Sequence, residues 1–255
     1  LKRGIFVLDL SSLKFRYEPY PIGMARPALP KATYEELLRS FPPRELFTSL
    51  EKVGHKYVLS EKFNGEKYGA FVRGNPAWKD FHSSVKSPEF ILSVVGALVE
   101  SGIDLGIKHF PPTLGRHLKV AWRDMRRGRV PRLDLSLSSR FEFSMLPVTG
   151  GYVSPHTDSP GKIITLVVSM VEGWDNSLGG GTDVIRPLEP AKSYNKLNRK
   201  LDFDEIEVLE TFDFCSNQVV LFTKTFNSWH CVRPMTGTDP TLMRNTLTIN
   251  IEVDD

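Results

Sequence analysis

The segment Ser154-Pro155-His156-Thr157-Asp158 sets an imidazole and a carboxylate two residues apart. In an extended segment, residues i and i+2 project to the same side, so the two groups can converge on one point. A second imidazole stands far downstream at His230, in Trp229-His230-Cys231-Val232, at the start of an expected strand. Two imidazoles and one carboxylate on one face of a metal leave the opposite positions open, the arrangement that suits non-haem Fe(II) oxygen chemistry. A structural zinc site would want four closed ligands, often thiolates. Taken singly, each residue has a plainer reading: Asp158 as a turn cap, His156 as a surface residue, His230 as a packed core histidine beside Trp229.

Arg244 opens the alternating run Met243-Arg244-Asn245-Thr246-Leu247-Thr248-Ile249, with Thr246 two residues on and on the same side. A guanidinium takes a carboxylate in two parallel hydrogen bonds, which a lysine cannot reproduce. A buried arginine without such a partner is costly. The position therefore suggests a bound dicarboxylate, with Thr246 hydrogen-bonding the same group; the plainer reading is an exposed arginine at a strand end.

These motifs sit in a longer pattern. Arg140-Phe-Glu-Phe-Ser-Met-Leu-Pro, Gly150-Gly-Tyr-Val-Ser-Pro-His156-Thr-Asp158-Ser-Pro-Gly-Lys-Ile-Ile-Thr-Leu, Gly179-Gly-Gly-Thr-Asp183, Asn217-Gln-Val-Val-Leu-Phe222, Trp229-His230-Cys-Val-Arg-Pro234 and Arg244-Asn-Thr-Leu-Thr248 follow one another in order. The pattern resembles the 2-oxoglutarate/Fe(II)-dependent dioxygenases, in their prolyl-hydroxylase-like branch, over roughly 135–253. The resemblance implies a mainly β protein with flanking helices, built on a double-stranded β-helix (jelly roll, cupin-like) core. It implies Fe(II) held by His156, Asp158 and His230, with 2-oxoglutarate as cosubstrate, O2 as oxidant, and hydroxylation of an unactivated C–H bond as outcome. Arg244 matches the residue that holds the distal carboxylate, assisted by Thr246, and Thr165 and Tyr152 are further candidates for the cosubstrate pocket. Because Asp158 supplies the acidic ligand, hydroxylation is favoured over halogenation; desaturation and demethylation share the same oxidant.

The elements that must position these residues divide near Leu133. Residues 1–134 read as a mixed helical and strand part that buttresses the core, and 135–255 as the catalytic core, the whole being one continuous domain. In the first part, Thr33–Ser40 opens with a Thr33-x-x-Glu36 capping box before Pro42-Pro43. Lys52–Ser60 and Lys67–Arg73 alternate as strands about an Asn64-Gly65 turn. Ser87-Pro88-Glu89 has the order of N-cap, N1 and N2 for a helix to about Ser101. Thr113–Arg127 reads as a helix with a basic face. In the second part the expected strands are Leu135–Leu146, Ile163–Met170, Thr182–Ile185, Gln218–Thr223, Ser228–Arg233 and Asn245–Val253, with turn-rich segments between them. The polar stretch 187–211 reads as a long insertion, of the kind that forms a lid.

Composition sets bounds on the rest. A chain 40% hydrophobic and 25% charged can bury a core, and a net charge of +3 gives no strong nucleic-acid signal. No apolar run approaches the ~20 residues of a membrane span. Two cysteines, Cys215 and Cys231, without a CxxC spacing suit reduced thiols and a cytoplasmic location. The chain opens on Leu1, which leaves room for a segment upstream. The substrate expectation is a small molecule or a glycan- or nucleotide-linked metabolite, with a peptidyl proline or other protein side chain as alternative. A non-catalytic jelly-roll binding module, an O2-using cupin-like enzyme without 2-oxoglutarate and a zinc hydrolase are the readings from other classes. Oligomeric state is not legible.

Overall fold

The computed structural model describes residues 8–51, 54–103, 105 and 137–253. Twelve strands and four helices occur among them, in the order β1 (Lys14–Arg16), β2 (Ile22–Ala25), α1 (Lys31–Arg39), β3 (Thr48–Leu50), β4 (Lys56–Ser60), α2 (Glu61–Gly74), α3 (Pro76–Val85), α4 (Pro88–Glu100), β5 (Leu137–Pro147), β6 (Val153–His156), β7 (Lys162–Ser169), β8 (Thr182–Pro187), β9 (Ile206–Phe212), β10 (Val219–Thr223), β11 (His230–Val232) and β12 (Met243–Val253). They form an eight-stranded sheet, ordered β1-β2-β10-β7-β12-β5-β4-β3, and a four-stranded sheet, ordered β6-β11-β8-β9. All of the pairings are antiparallel.

The larger sheet has two differently composed faces because side chains alternate along each strand. Phe141, Phe143 and Met145 of β5, Ile164, Leu166 and Val168 of β7, and Leu247, Ile249 and Ile251 of β12 join the main apolar cluster with Trp78, Phe81, Phe90 and Val94 of the helices. The intervening residues, including Glu142, Ser144, Thr165, Arg244, Thr246 and Asn250, face a cavity instead. Register locks the two faces together: Arg244 lies opposite Leu146, Thr246 opposite Ser144 and Asn250 opposite Arg140. A slip of one residue would send the cavity chemistry into the helix layer.

The expected strands of the second half are present, with ends shifted by a few residues. So is the helix after Ser87, whose side chain accepts from the Phe90 N–H. Three differences have physical causes. Residues 67–73 are helical, in α2, because Tyr68 and Val72 are buried at i,i+4 spacing, and the apolar alternation there is compatible with either period. Asn64 is no hairpin turn: its side chain accepts from the Ser60 N–H and donates to the Leu46 and Val58 carbonyls, starting the helix directly after β4. The helix α1 begins at Lys31 with no side-chain cap, so the Thr33-x-x-Glu36 pair lies inside it. The insertion 187–211 carries most of a strand, β9, which completes the smaller sheet by pairing with β8.

The N-terminal strands are hydrogen-bonded into the core sheet, β2 to β10 and β4 to β5. The expected basic helix Thr113–Arg127 lies outside the described residues. Among the described residues no helix is long and apolar enough to cross a membrane.

Phe143 is fully buried, with ring centroids 4.7 Å from Trp78 and 5.1 Å from Phe141. The substitution Phe143→Ala is expected to lower unfolding free energy by about 3–5 kcal/mol, read as an earlier urea midpoint with an unchanged slope.

Candidate metal centre and cosubstrate pocket

Strand β6 ends at His156 and β11 begins at His230, and the two residues are direct partners across the antiparallel pair. Their ring centroids are 4.4 Å apart. Asp158 follows just past the end of β6, and one ligand atom from each of the three residues lies within 4.8 Å of the others. Among the described residues this is the only group of three or more histidine, cysteine or acidic side chains so arranged.

Each imidazole is oriented by a backbone carbonyl two residues earlier. His156 Nδ1 lies 2.8 Å from the Ser154 carbonyl and His230 Nδ1 lies 2.9 Å from the Ser228 carbonyl. A carbonyl only accepts, so Nδ1 carries the proton in both rings and Nε2 keeps its lone pair. Burial lowers the pKa of both: His156 falls to about 3, helped by the neighbouring His230, and His230 falls from its ordinary value. Both rings are therefore neutral at neutral pH, the state a metal requires. For Asp158, burial opposes ionisation, but Lys162 and the two imidazoles outweigh it and hold the carboxyl well below the usual range. Its oxygens are fixed separately: Lys162 Nζ donates to Oδ1, and Thr165 Oγ1 donates to Oδ2 at 2.6 Å.

The donor set of two Nε2 lone pairs and one carboxylate suits a divalent transition metal bound on one face. It does not complete a four-ligand structural zinc site.

Arg244 is 4% exposed and lines the same cavity as the three candidate ligands. Its Nε donates to the Gly180 carbonyl and its guanidinium lies 4.3 Å from the Phe214 ring centroid. Among the described residues no carboxylate pairs with it. Burial lowers its pKa to about 9, so it is cationic at neutral pH. Gly180 has φ +89°, and a Cβ there would come within 3.2 Å of the Arg244 side chain. A glycine is thus required both for the turn and for the close approach of its carbonyl.

Of the other sequence candidates, Thr246 lines the cavity with its Oγ1 2.7 Å from Ser144 Oγ. Thr165 also lines it, but its hydroxyl serves Asp158 and lies 3.1 Å from Asn250 Oδ1. Tyr152 is not brought to the cavity: its ring packs edge-on against Phe203, with centroids 5.5 Å apart.

Sequence reasoning missed the clamp that holds the ligand segments. Asn195, buried within the insertion, donates to Thr157 Oγ1 (3.0 Å) and to the Arg199 carbonyl, and accepts from the Arg199 N–H. Its own N–H donates to the Phe226 carbonyl. Trp229 Nε1 donates to the Ser193 carbonyl, and the Leu201 N–H to the Pro155 carbonyl. Residues 193–201 therefore bind both the segment of His156 and Asp158 and that of His230. None of residues 187–211 lines the cavity. No spacing in the sequence signals the link between Asn195 and Thr157.

No protein-family model and no curated protein sequence matches the chain. Solved structures do. A prolyl hydroxylase from Trichoplax adhaerens, in complex with a hypoxia inducible factor oxygen degradation domain peptide fragment, matches with TM-score 0.53 and 14% identity over 91% of this chain and 84% of that one. A Pseudomonas putida prolyl-4-hydroxylase matches with TM-score 0.47 and 12% identity over 96% and 95% of the two chains. The non-heme alpha ketoglutarate dependent epimerase SnoN from nogalamycin biosynthesis matches with TM-score 0.46 and 11% identity over 91% and 76%. The chain shares the fold of the Trichoplax hydroxylase, and fold alone leaves the substrate open.

Two outcomes follow for the metal centre. Two exposed imidazoles of ordinary pKa would lose roughly 15-fold in metal affinity between pH 8 and pH 6 through protonation. With both pKa values lowered, Fe(II) affinity measured anaerobically is expected to change less than about 3-fold over that range. Asn195→Ala is expected to weaken Fe(II) binding by roughly 10-fold with the far-ultraviolet circular dichroism retained, since second-sphere contacts have effects of that size.

Proposed function

We propose that the protein is an Fe(II)- and 2-oxoglutarate-dependent dioxygenase that hydroxylates an unactivated C–H bond of a small molecule or a glycan- or nucleotide-linked metabolite. The observation that carries the reading is Arg244: a buried guanidinium, unpaired by any carboxylate among the described residues, in the same cavity as two free imidazole nitrogens and Asp158. A dicarboxylic acid that reaches from the metal to Arg244 would meet the needs of both.

Strands β5 to β12 support the matching architecture. They split into two four-stranded sets, ordered β10-β7-β12-β5 and β6-β11-β8-β9, as a double-stranded β-helix would. In this reading 135–255 is the catalytic core, 1–134 buttresses it, and the insertion 187–211 clamps the ligand segments.

When bound, Fe(II) with 2-oxoglutarate and O2 supplies the oxidising power for C–H cleavage, and the cosubstrate leaves as succinate and CO2. The chain's own residues do the positioning. His156, Asp158 and His230 would hold the metal. Arg244 takes the far carboxylate in a bidentate pair, with the Thr246 hydroxyl beside it. Gly180 and Phe214 fix the guanidinium plane. Leu146, Val153, Val167, Phe222 and Val232 give the cavity apolar walls. Asp158 fills the third ligand position, which leaves no place there for a halide and favours hydroxylation.

The test is anaerobic titration of the protein with Fe(II) and 2-oxoglutarate, followed by the visible metal-to-ligand charge-transfer band. The band is expected only with both present, and not in His230→Ala. Arg244→Met is expected to keep Fe(II) affinity and to weaken 2-oxoglutarate binding by roughly 100-fold, about 2.7 kcal/mol. A folded protein that gives no band with both components would overturn the reading.

A further inference from the structure

We propose that Lys162 anchors an anionic group of the substrate, so that the substrate is a small carboxylate or phosphate monoester that reacts at a C–H bond close to that group. The inference rests on the proposed function, and it comes from the charges that the function leaves over.

The charged residues lining the cavity are Lys56, Arg140, Lys162 and Arg244 against Glu142 and Asp158. One row of these is already balanced. Buried Glu142 accepts from Lys56 at 2.8 Å and lies 3.5 Å from Arg140, while Arg140 Nε donates to Glu252 at 3.0 Å. The cofactor assembly is balanced too: a divalent metal, the Asp158 carboxylate, a doubly charged cosubstrate and the Arg244 guanidinium carry no net charge together.

Lys162 is what remains. Its side chain is 15% exposed, and its single carboxylate partner among the described residues is Asp158. Once Asp158 shares its charge with a metal, that largely buried ammonium is left without a full counter-charge. An unpaired buried charge costs several kcal/mol, so an anion placed there is strongly favoured. A second cation stands close by. The Lys224 N–H donates to the Ile163 carbonyl, which sets the two lysines at neighbouring strand ends. Lys224 Nζ donates to the Thr225 carbonyl at 3.1 Å and makes no ion pair among the described residues.

Geometry then limits the substrate. Because Lys162 reaches Asp158 itself, an anion on Lys162 lies beside the metal ligands, and the reacting carbon must be a few bonds from it. The cavity measures about 340 Å³, near the lower end for small-molecule sites, and a five-carbon diacid takes part of it. An uncharged peptide would leave Lys162 unpaired.

The experiment is calorimetric titration of the anaerobic Fe(II)- and 2-oxoglutarate-loaded protein with propionate, methylphosphonate and neutral propionamide. The charge-transfer band first reports loading; its absence overturns the proposed function, and this inference with it. With loading shown, both anions are expected to bind at least 10-fold more tightly than propionamide. Lys162→Met is expected to abolish that preference, Lys162→Arg to retain it, and Lys224→Met to weaken it about 3-fold. Should Lys162→Met fail to load metal, the wild-type preference and its weakening in Lys224→Met decide. Equal binding of amide and acids overturns the proposal, as does anion affinity unchanged in Lys162→Met, which would mean direct ligation of iron. Binding of an uncharged proline peptide in place of the anions would also overturn it.

Discussion

Everything at the centre depends on one strand pair, β6 with β11, in which His156 and His230 face each other across the ladder. Antiparallel pairing brings together residues remote in sequence, and the partner carbonyls of Ser154 and Ser228 turn both rings the same way. Two imidazoles at 4.4 Å cannot both be charged without severe repulsion. Burial and this proximity act in the same direction and keep them neutral, the state that a metal would require. A carboxylate then has to come from a third place, because the next strand position on β6 would point away; the chain leaves the ladder after His156 and Asp158 turns in from the loop. That loop is held by Thr165 and Lys162, which donate to the carboxylate, and by Asn195, which donates to the Thr157 hydroxyl.

The larger sheet solves the complementary problem of giving a cavity polar walls without losing a core. Strand β12 shows the solution in one element. Leu247, Ile249 and Ile251 pack on the helices, while Arg244, Thr246, Thr248 and Asn250 face the cavity. The aromatic layer of Trp78, Phe81, Phe141 and Phe143 behind the sheet fixes that register, since a one-residue slip would bury Arg244 and Glu142 among phenyl rings. The helices of the first half thus act on the cavity chiefly through the register of the sheet, with Phe63 of α2 as the helical residue that lines it.

The parts of this arrangement legible in the sequence are those with short, fixed spacing. His156 and Asp158 at i+2, Arg244 and Thr246 at i+2, and the alternating strands of the second half all carry a period-two signal. The helix after Ser87 could be read because its cap and proline are local. Residues 67–73 could not, since Tyr68 and Val72 satisfy a helix while the apolar alternation around them also suits a strand, and only packing against Phe141 and Phe143 decides. Strand β9 was hidden by its glutamates, which an outer strand with one open face tolerates. The contacts of Arg244 with Phe214 and Gly180, and those of Asn195 with Thr157, join distant segments through space, and no sequence period encodes them.

Arg244 also links function to stability. The Arg244 guanidinium has one backbone acceptor, the Gly180 carbonyl, and one aromatic face, Phe214, among the described residues, which leaves donors for a ligand. A ligand that paired with the guanidinium would bind the folded chain and not the unfolded one, and would therefore add stability that rises with its concentration. The same would hold at the other end of the cavity, where the two neutral imidazoles and the ionised Asp158 are in the state that a metal ion would require.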